Sequence, residues 1–443
     1  RAHSATSSDI DLNKAAVAAG LGIIDSDSKV SNPFVGRRFG LSVVTTNLEL
    51  KPDMPLAQAS GLSRFKDKGM AWMLGLGAHK NIRNFQPYGK RSFTDGVFPM
   101  EKVKRVDSPT SLIDEDKIPR IPKRTEFFVR IAFGDLGEAA QKASVDGFSV
   151  NKHPLGRALS ATLNCYSILQ RAKEKKIRVA GYEDPKSNAD IIKATLHFLG
   201  ADMVGISRAP DWVWYSHTAD GQVLKPAHKY AITTLVDQGH ESMDGASGDD
   251  WISAALSMRS YMRASLVNGV VAQHLRNLGV SATNHTAADG DVLQPPLMLL
   301  SGLGEISRIG DLILNPYLGP RLKCGVITTD LPLEVDKPID FGLQTFCNNC
   351  NKCARECPSG AITAGGKTMF NGYEIWKPEA EKCARYRMTN DSGSMCGRCM
   401  KTCPWNLEGV FKEAPYRWLA THLPSLAPAI TKVDDWLGNG GIN

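Results

Sequence analysis

No run of about 18 apolar residues occurs in the 443-residue chain, so no helix long and apolar enough to cross a membrane is expected. There is no dense Lys/Arg block either. The formal net charge is +7, but the basic residues are scattered. That reads as a solvated basic surface rather than a nucleic-acid or membrane patch, although an acidic redox partner would suit the same balance. A convincing nucleotide fingerprint is also missing. The stretch from Gly302 to Gly310 is only loosely like GxGxxG, because Ser307 stands at the third glycine, and a turn with close backbone packing is expected there. The chain starts at Arg1 rather than Met, as a processed or trimmed product would, and no signal peptide is left to read. Arg37-Arg38 has no apolar stretch after it and reads as surface charge. With 42% hydrophobic and 22% charged residues the composition is ordinary for a globular chain, and at about 150 residues per domain the length suggests two or three units.

Residues 1–150 are irregular, with Gly, Pro and aromatics spread through 32–40 and 85–93. IPRIPK (118–123) reads as an extended connector, since each Pro disfavours helix at the residue before it. KSNADIIKATLHFL (186–199) predicts a helix capped by Ser187 or Asn188, with Ile191, Ile192, Ala194, Leu196 and Leu199 on its apolar face and Gly200 as its stop. Strands are expected over 201–207, 229–236 and 324–330, and a further helix over 265–279. Helices alternating with short apolar strands indicate an α/β or α+β core.

What the chain does have is cysteine, concentrated at one end: eight of its ten lie between Cys347 and Cys403. Cys347, Cys350, Cys353 and Cys357-Pro358 spell C-x2-C-x2-C-x3-C-P, the two-cluster ferredoxin run. Cys383, Cys396, Cys399 and Cys403-Pro404 repeat it with a longer first gap, which implies a loop insertion. Three close cysteines wrap one face of a four-iron cubane and the fourth ligand comes from the other run. Cys347, Cys350, Cys353 and Cys403 therefore hold one 4Fe–4S cluster, and Cys383, Cys396, Cys399 and Cys357 the other. Zinc is the competing reading, but zinc sites need neither the third cysteine of the first run nor the two prolines. Cys165 and Cys324 lack such spacing and read as buried free thiols.

QPPLMLLSGLGEISRIGDLILNPYLGPRLKCGVITTDLPL (294–333), CNNCNKCARECPSGAI (347–362) and CGRCMKTCPWN (396–406) together resemble the reductive dehalogenases, over roughly 186–443 and weakly before 150. The resemblance implies a nitroreductase-like, corrinoid-binding core over 151–338, a ferredoxin-like module with two 4Fe–4S clusters over 339–443, and a variable segment, 1–150, walling the substrate pocket. It implies a cobalamin-type corrinoid bound base-off, in keeping with the missing DxHxxG motif. It also implies a small organohalide substrate and an electron donor (a ferredoxin, a flavodoxin or a quinol-linked membrane protein), with a membrane anchor protein as a further partner and no nucleic acid. An exported, peripherally membrane-associated enzyme is favoured over a cytoplasmic one.

The resemblance also assigns site residues. Tyr261, in RSYMRA, looks like the family's proton donor, and a tyrosine phenol is protonated at neutral pH. Arg308 and Lys323 are the candidate cations to stabilise the phenolate. Tyr261, Asp289, Gly302, Gly304 and Arg308 are the expected corrinoid contacts. Blander readings stand beside these: a core aromatic for Tyr261, a Glu305 partner for Arg308, a solvated end for Lys323. Trp212-Val213-Trp214-Tyr215 either walls a pocket or sits in the core, and Trp405 shields a cluster or faces the channel. Asp289 stands where the family often has Asn, and Lys323 where respiratory members carry Arg. Epoxyqueuosine reductases, which modify transfer RNA, share the core and the CPWN ending, but MRSYMRASLVNGV (258–270) lacks the acidic residue by which they resemble one another. A non-catalytic iron–sulfur electron-transfer subunit is the third reading.

Overall fold

The computed structural model describes residues 2–5, 10–32, 36–46, 48–53, 99–145, 149–287, 289–310, 312–408 and 410–440. The chain divides into two compact units, Arg1–Lys90 and Arg91–Asn443. In the first, a helix over Leu12–Ala18 is capped by Asp11, Ala2–Ala5 pairs antiparallel with Val43–Thr46, and a short ribbon joins Ile23–Ile24 to Val30–Ser31. Arg37 pairs with Asp25 and Asp27 at the surface, as surface charge should. The 85–90 part of the aromatic stretch 85–93 lies outside the described residues, as does the rest of it.

The second unit is built on a four-stranded sheet: β1 (Met203–Arg208), β2 (Tyr230–Asp237), β3 (Ala282–His285) and β4 (Leu322–Thr329), in the order β1-β2-β4-β3. Every pairing is antiparallel, which settles the class as α+β. The strands read as continuous apolar runs because both faces are covered. Side chains alternate across a strand. Ile232 and Ile327 join the cluster containing Val267, Val271 and Leu275 on one side, while Ala231 and Val326 join Trp214 and Leu297 on the other.

The helices that matter here are α1 (Pro154–Cys165), α2 (Pro185–Phe198), α3 (Ile252–Asn277), α4 (Gln294–Leu300), α5 (Leu343–Asn349), α6 (Ala380–Thr389), α7 (Val410–His422) and α8 (Ala427–Trp436). Three strand expectations hold to within two residues. The cap of α2 differs: Asp184 accepts from the Ser187 amide at 2.9 Å, because Pro185 presets the first helical turn. Asn188 is instead buried, donating to the carbonyls of Tyr182 and Pro332. The apolar face is also narrower than expected, with Ile192 and Leu196 inside and Ile191 and Ala194 exposed. Helix α3 begins at Ile252 rather than 265. Its first turns bury Ser253, Ala254, Ala255 and Ser257, small residues that carry little apolar periodicity, and Asp250 accepts from the Ser253 amide at 2.9 Å. The 118–123 connector is extended: Ile121 accepts from the Ser216 amide and Lys123 donates to His217, both at 2.9 Å.

Candidate iron–sulfur and catalytic site

Cys347 lies on α5, Cys353 on a single helical turn at Lys352–Arg355, and Cys350 on the link between them. These three and Cys403 line one cavity, the set that crossed ligation requires. The others gather separately. The thiol of Cys399 is pushed well up by burial and then by the charges of Cys396, Cys383, Cys353 and Cys357; that of Cys396 is raised by burial and by Cys383. Burial likewise lifts Cys353 to about 12. Cys357 goes the other way. Burial opposes ionisation, but the Ser359 hydroxyl and the amides of Ala361 and Ile362 outweigh it and lower the thiol. Buried thiolates packed together need compensating metal charge. Among the described residues no three His, Cys, Asp or Glu side chains converge on a single-ion point. A cubane spreads its ligands over a larger body than one zinc ion, whose four sulfurs would sit about 3.8 Å apart at tetrahedral Zn–S bonds.

The GLGEISR stretch grips α5 by both ends. Glu305, fully buried, accepts from the amides of Phe341 at 2.8 Å and Leu343 at 3.4 Å. Burial raises its carboxyl group despite these bonds and one from Thr110. Arg308 donates to the carbonyls of Cys347 at 2.8 Å, Asn348 at 3.3 Å, Thr363 at 3.0 Å and Gly365 at 2.9 Å. A carboxylate at the helix start and a guanidinium at its end complement the peptide dipoles, and together they fix the helix that presents Cys347. Arg308 is thus a cluster-loop clamp: its hydrogen bonds go to carbonyls of the cysteine module rather than to Glu305.

Gly302 and Gly304 are closely packed. A Cβ on Gly302, whose φ is +65°, would come within 2.1 Å of the Arg105 guanidinium and the Lys337 carbonyl oxygen; one on Gly304 would meet the Leu314 carbonyl at 2.4 Å. The close-packed turn expected from sequence is what forms. Asp289 is held by Arg171 at 2.8 Å and Lys123 at 3.2 Å. Burial opposes its ionisation, but these two cations outweigh it and keep the carboxyl below its ordinary range. Its partners are thus protein cations, which accounts for an acid at that place.

Tyr261 and Lys323 do come together. Tyr261 is half-buried on α3, Lys323 lies near the start of β4, and the ammonium nitrogen sits 5.1 Å from the ring centroid. The β4 register brings them within reach, with Lys323 opposite Val236 on β2 and its alternate neighbour Gly325 packed on Ala264 and Asn268 of α3. Tyr261 also packs in the cluster that holds Met258 and Met395, and Met395 immediately precedes Cys396. The loop before α3 is stitched to the same segment: Ser394 donates to Asp250 at 2.8 Å and Asn390 to Gly248 at 2.6 Å. Gly248, φ +98°, leaves room for Cys396, whose sulfur would be 2.6 Å from a Cβ there. The helix carrying Tyr261 is thus fastened to the second cysteine group.

The remaining expectations divide. Trp405 is fully buried beside the first group, edge-on to Phe341, Phe346 and Tyr416, so it shields a cluster. All of Trp212–Tyr215 is core, with Trp212 donating to Glu115 at 3.0 Å and Tyr215 bonded to Glu126. Cys165 is exposed rather than buried, and Cys324 is half-buried, 3.0 Å from the Gln294 amide oxygen, with burial raising its thiol to about 12.

Residues 346–407 match the 4Fe-4S dicluster domain family. The solved structure of a catabolic reductive dehalogenase, NpRdhA, in complex with 3-bromo-4-hydroxybenzoic acid superposes with a TM-score of 0.89 at 45% identity, over 99% of this chain and 63% of that one. This chain is homologous to the reductive dehalogenases. The tetrachloroethene reductive dehalogenases of Sulfurospirillum multivorans and Dehalobacter restrictus are 28% and 29% identical over 58% and 59% of the chain. The chain spans 58% and 56% of those two enzymes, little over half of each. Epoxyqueuosine reductase of Escherichia coli matches only 26% of the chain, at 30% identity. Within the dehalogenase homologue, sequence reasoning missed Glu305 and Gly248. Glu305 was visible inside the GLGEISR motif, but only as a partner for Arg308 and not for the amides at the start of α5. Gly248 carries no local signal, because the sulfur it accommodates lies 148 positions further on, 396 less 248.

Proposed function

We propose that this protein is a reductive dehalogenase, replacing a halogen of a small organohalide by hydrogen: R–X + 2 e⁻ + H⁺ → R–H + X⁻. The observation that carries the reading is the Tyr261–Lys323 pair, fastened beside the second cysteine group. The core then serves as a nitroreductase-like, corrinoid-binding domain over 151–338, and the module 339–443 feeds it electrons from an external donor.

Buried side-chain atoms without a protein partner support the fit of a corrinoid. They include the Ser260 hydroxyl beside Tyr261, both amide atoms of Gln238 and the Thr402 hydroxyl before Cys403. A corrin ring has a rim of amide groups that such donors and acceptors would hold. Among the described residues, the buried histidines His228 and His285 are both bonded to Thr328. When bound, the corrinoid supplies the reduced cobalt that breaks the carbon–halogen bond. Tyr261 donates the proton to carbon, and the Lys323 ammonium stabilises the phenolate left behind. The same ammonium favours a substrate with its own negative charge, so a halogenated phenol or hydroxybenzoate is the substrate class, the kind of molecule bound by the NpRdhA relative.

Reconstituted, reduced enzyme given 3-bromo-4-hydroxybenzoate is expected to release one bromide per 4-hydroxybenzoate formed. No halide from halophenols, halobenzoates or chloroethenes would contradict the proposal.

A further inference from the structure

We propose that Thr431 raises the reduction potential of the first cluster by donating a hydrogen bond to the Cys350 thiolate, so that the C-terminal helix α8 tunes the cluster it covers. The inference rests on the two-cluster reading of the cysteine module.

Thr431 is buried on α8, with its hydroxyl oxygen 3.3 Å from the Cys350 sulfur. The same oxygen lies 2.7 Å from the Ala427 carbonyl, and a threonine has one hydroxyl proton for the two acceptors. The Ala427 carbonyl does not depend on it, since the helix gives that oxygen the backbone N–H four residues on. A cysteine that ligates iron is a thiolate and can only accept. A charge-assisted bond to it is the stronger of the two choices, so the proton turns toward sulfur when the cluster is in place.

The register of α8 is fixed on the cluster loop itself. Lys352, buried next to Cys353, pairs with Asp434 at 2.6 Å and Asp435 at 2.9 Å, and Arg355 pairs with Asp435 at 2.9 Å. Reduction adds negative charge to the cluster and its thiolates. A hydrogen bond to sulfur therefore stabilises the reduced state more than the oxidised one, and the potential rises.

The test is a potentiometric titration of the reconstituted holoprotein followed by EPR, which needs neither substrate nor cobalt. Thr431→Val removes the hydroxyl at nearly constant shape. It is expected to shift the reduction equilibrium of one cluster about tenfold toward the oxidised form, about 59 mV for one electron, with the other unmoved. Thr431→Ser, which keeps the hydroxyl, should titrate like the wild type. Unchanged potentials in Thr431→Val, equal shifts of both clusters, or a Ser variant that behaves like Val would overturn the inference. Iron per chain in each variant separates this failure from failure of the two-cluster reading: about eight irons, as two cubanes need, leaves that reading intact.

Discussion

Tyr261→Phe is expected to lower halide release at least about 100-fold, the lower end of what positioned proton donors contribute, while iron and cobalt contents stay unchanged. The phenol hydroxyl is the only atom lost. The ring still packs against Met258 and Met395, so the helix and the nearby cysteine loop keep their positions. Lys323 gives the prediction a second arm. Its ammonium lies over the Tyr261 ring at 5.1 Å, close enough to act on the tyrosine. Lys323→Met should therefore slow turnover by a smaller factor than Tyr261→Phe. If the double variant is no slower than Tyr261→Phe alone, the lysine acts through the tyrosine. Full activity in Tyr261→Phe would remove the tyrosine from the chemistry.

The second large effect concerns the crossed ligands. Cys347→Ala should cost one cluster, about half of the iron. Adding Cys403→Ala should cost nothing more, because both residues line the same cavity. Adding Cys357→Ala instead should remove the remaining iron, because Cys357 belongs with Cys399. Uncrossed ligation exchanges the two outcomes. Iron analysis of the two double variants decides between them, with no assay of activity needed.

Much of this was legible in the sequence, for an identifiable reason. Cluster ligation is a local code: three thiolates on one short loop must reach one cubane, so spacing alone names the ligands and, through the crossing rule, their partition. The three predicted strands were visible because a sheet covered on both faces needs unbroken apolar runs, and Ile232 and Ala231 show the two faces being served in turn. Tyr261 was reached only through family resemblance, since nothing in RSYMRA by itself separates a proton donor from a core aromatic.

What sequence did not give depends on distant or backbone partners. The acceptors of Arg308 are carbonyls some forty to sixty residues on. No side-chain pattern records that choice. The partners of Asp289, Lys123 and Arg171, come from two other segments and were equally invisible. The start of α3 was hidden by small residues that pack closely without periodic bulk. Cys165 was read as buried on the average behaviour of free thiols, which carries no information about which face of α1 it occupies.

The central claim is that one chain holds a corrinoid beside two four-iron clusters. The most direct test is anaerobic reconstitution with cobalamin and iron–sulfide, followed by cobalt and iron analysis and the spectrum of the bound cofactor. One cobalt and about eight irons per chain, with a base-off corrinoid spectrum, is the predicted result. About eight irons and no cobalt, after refolding with cobalamin in excess, would contradict it and leave an electron-transfer protein in its place.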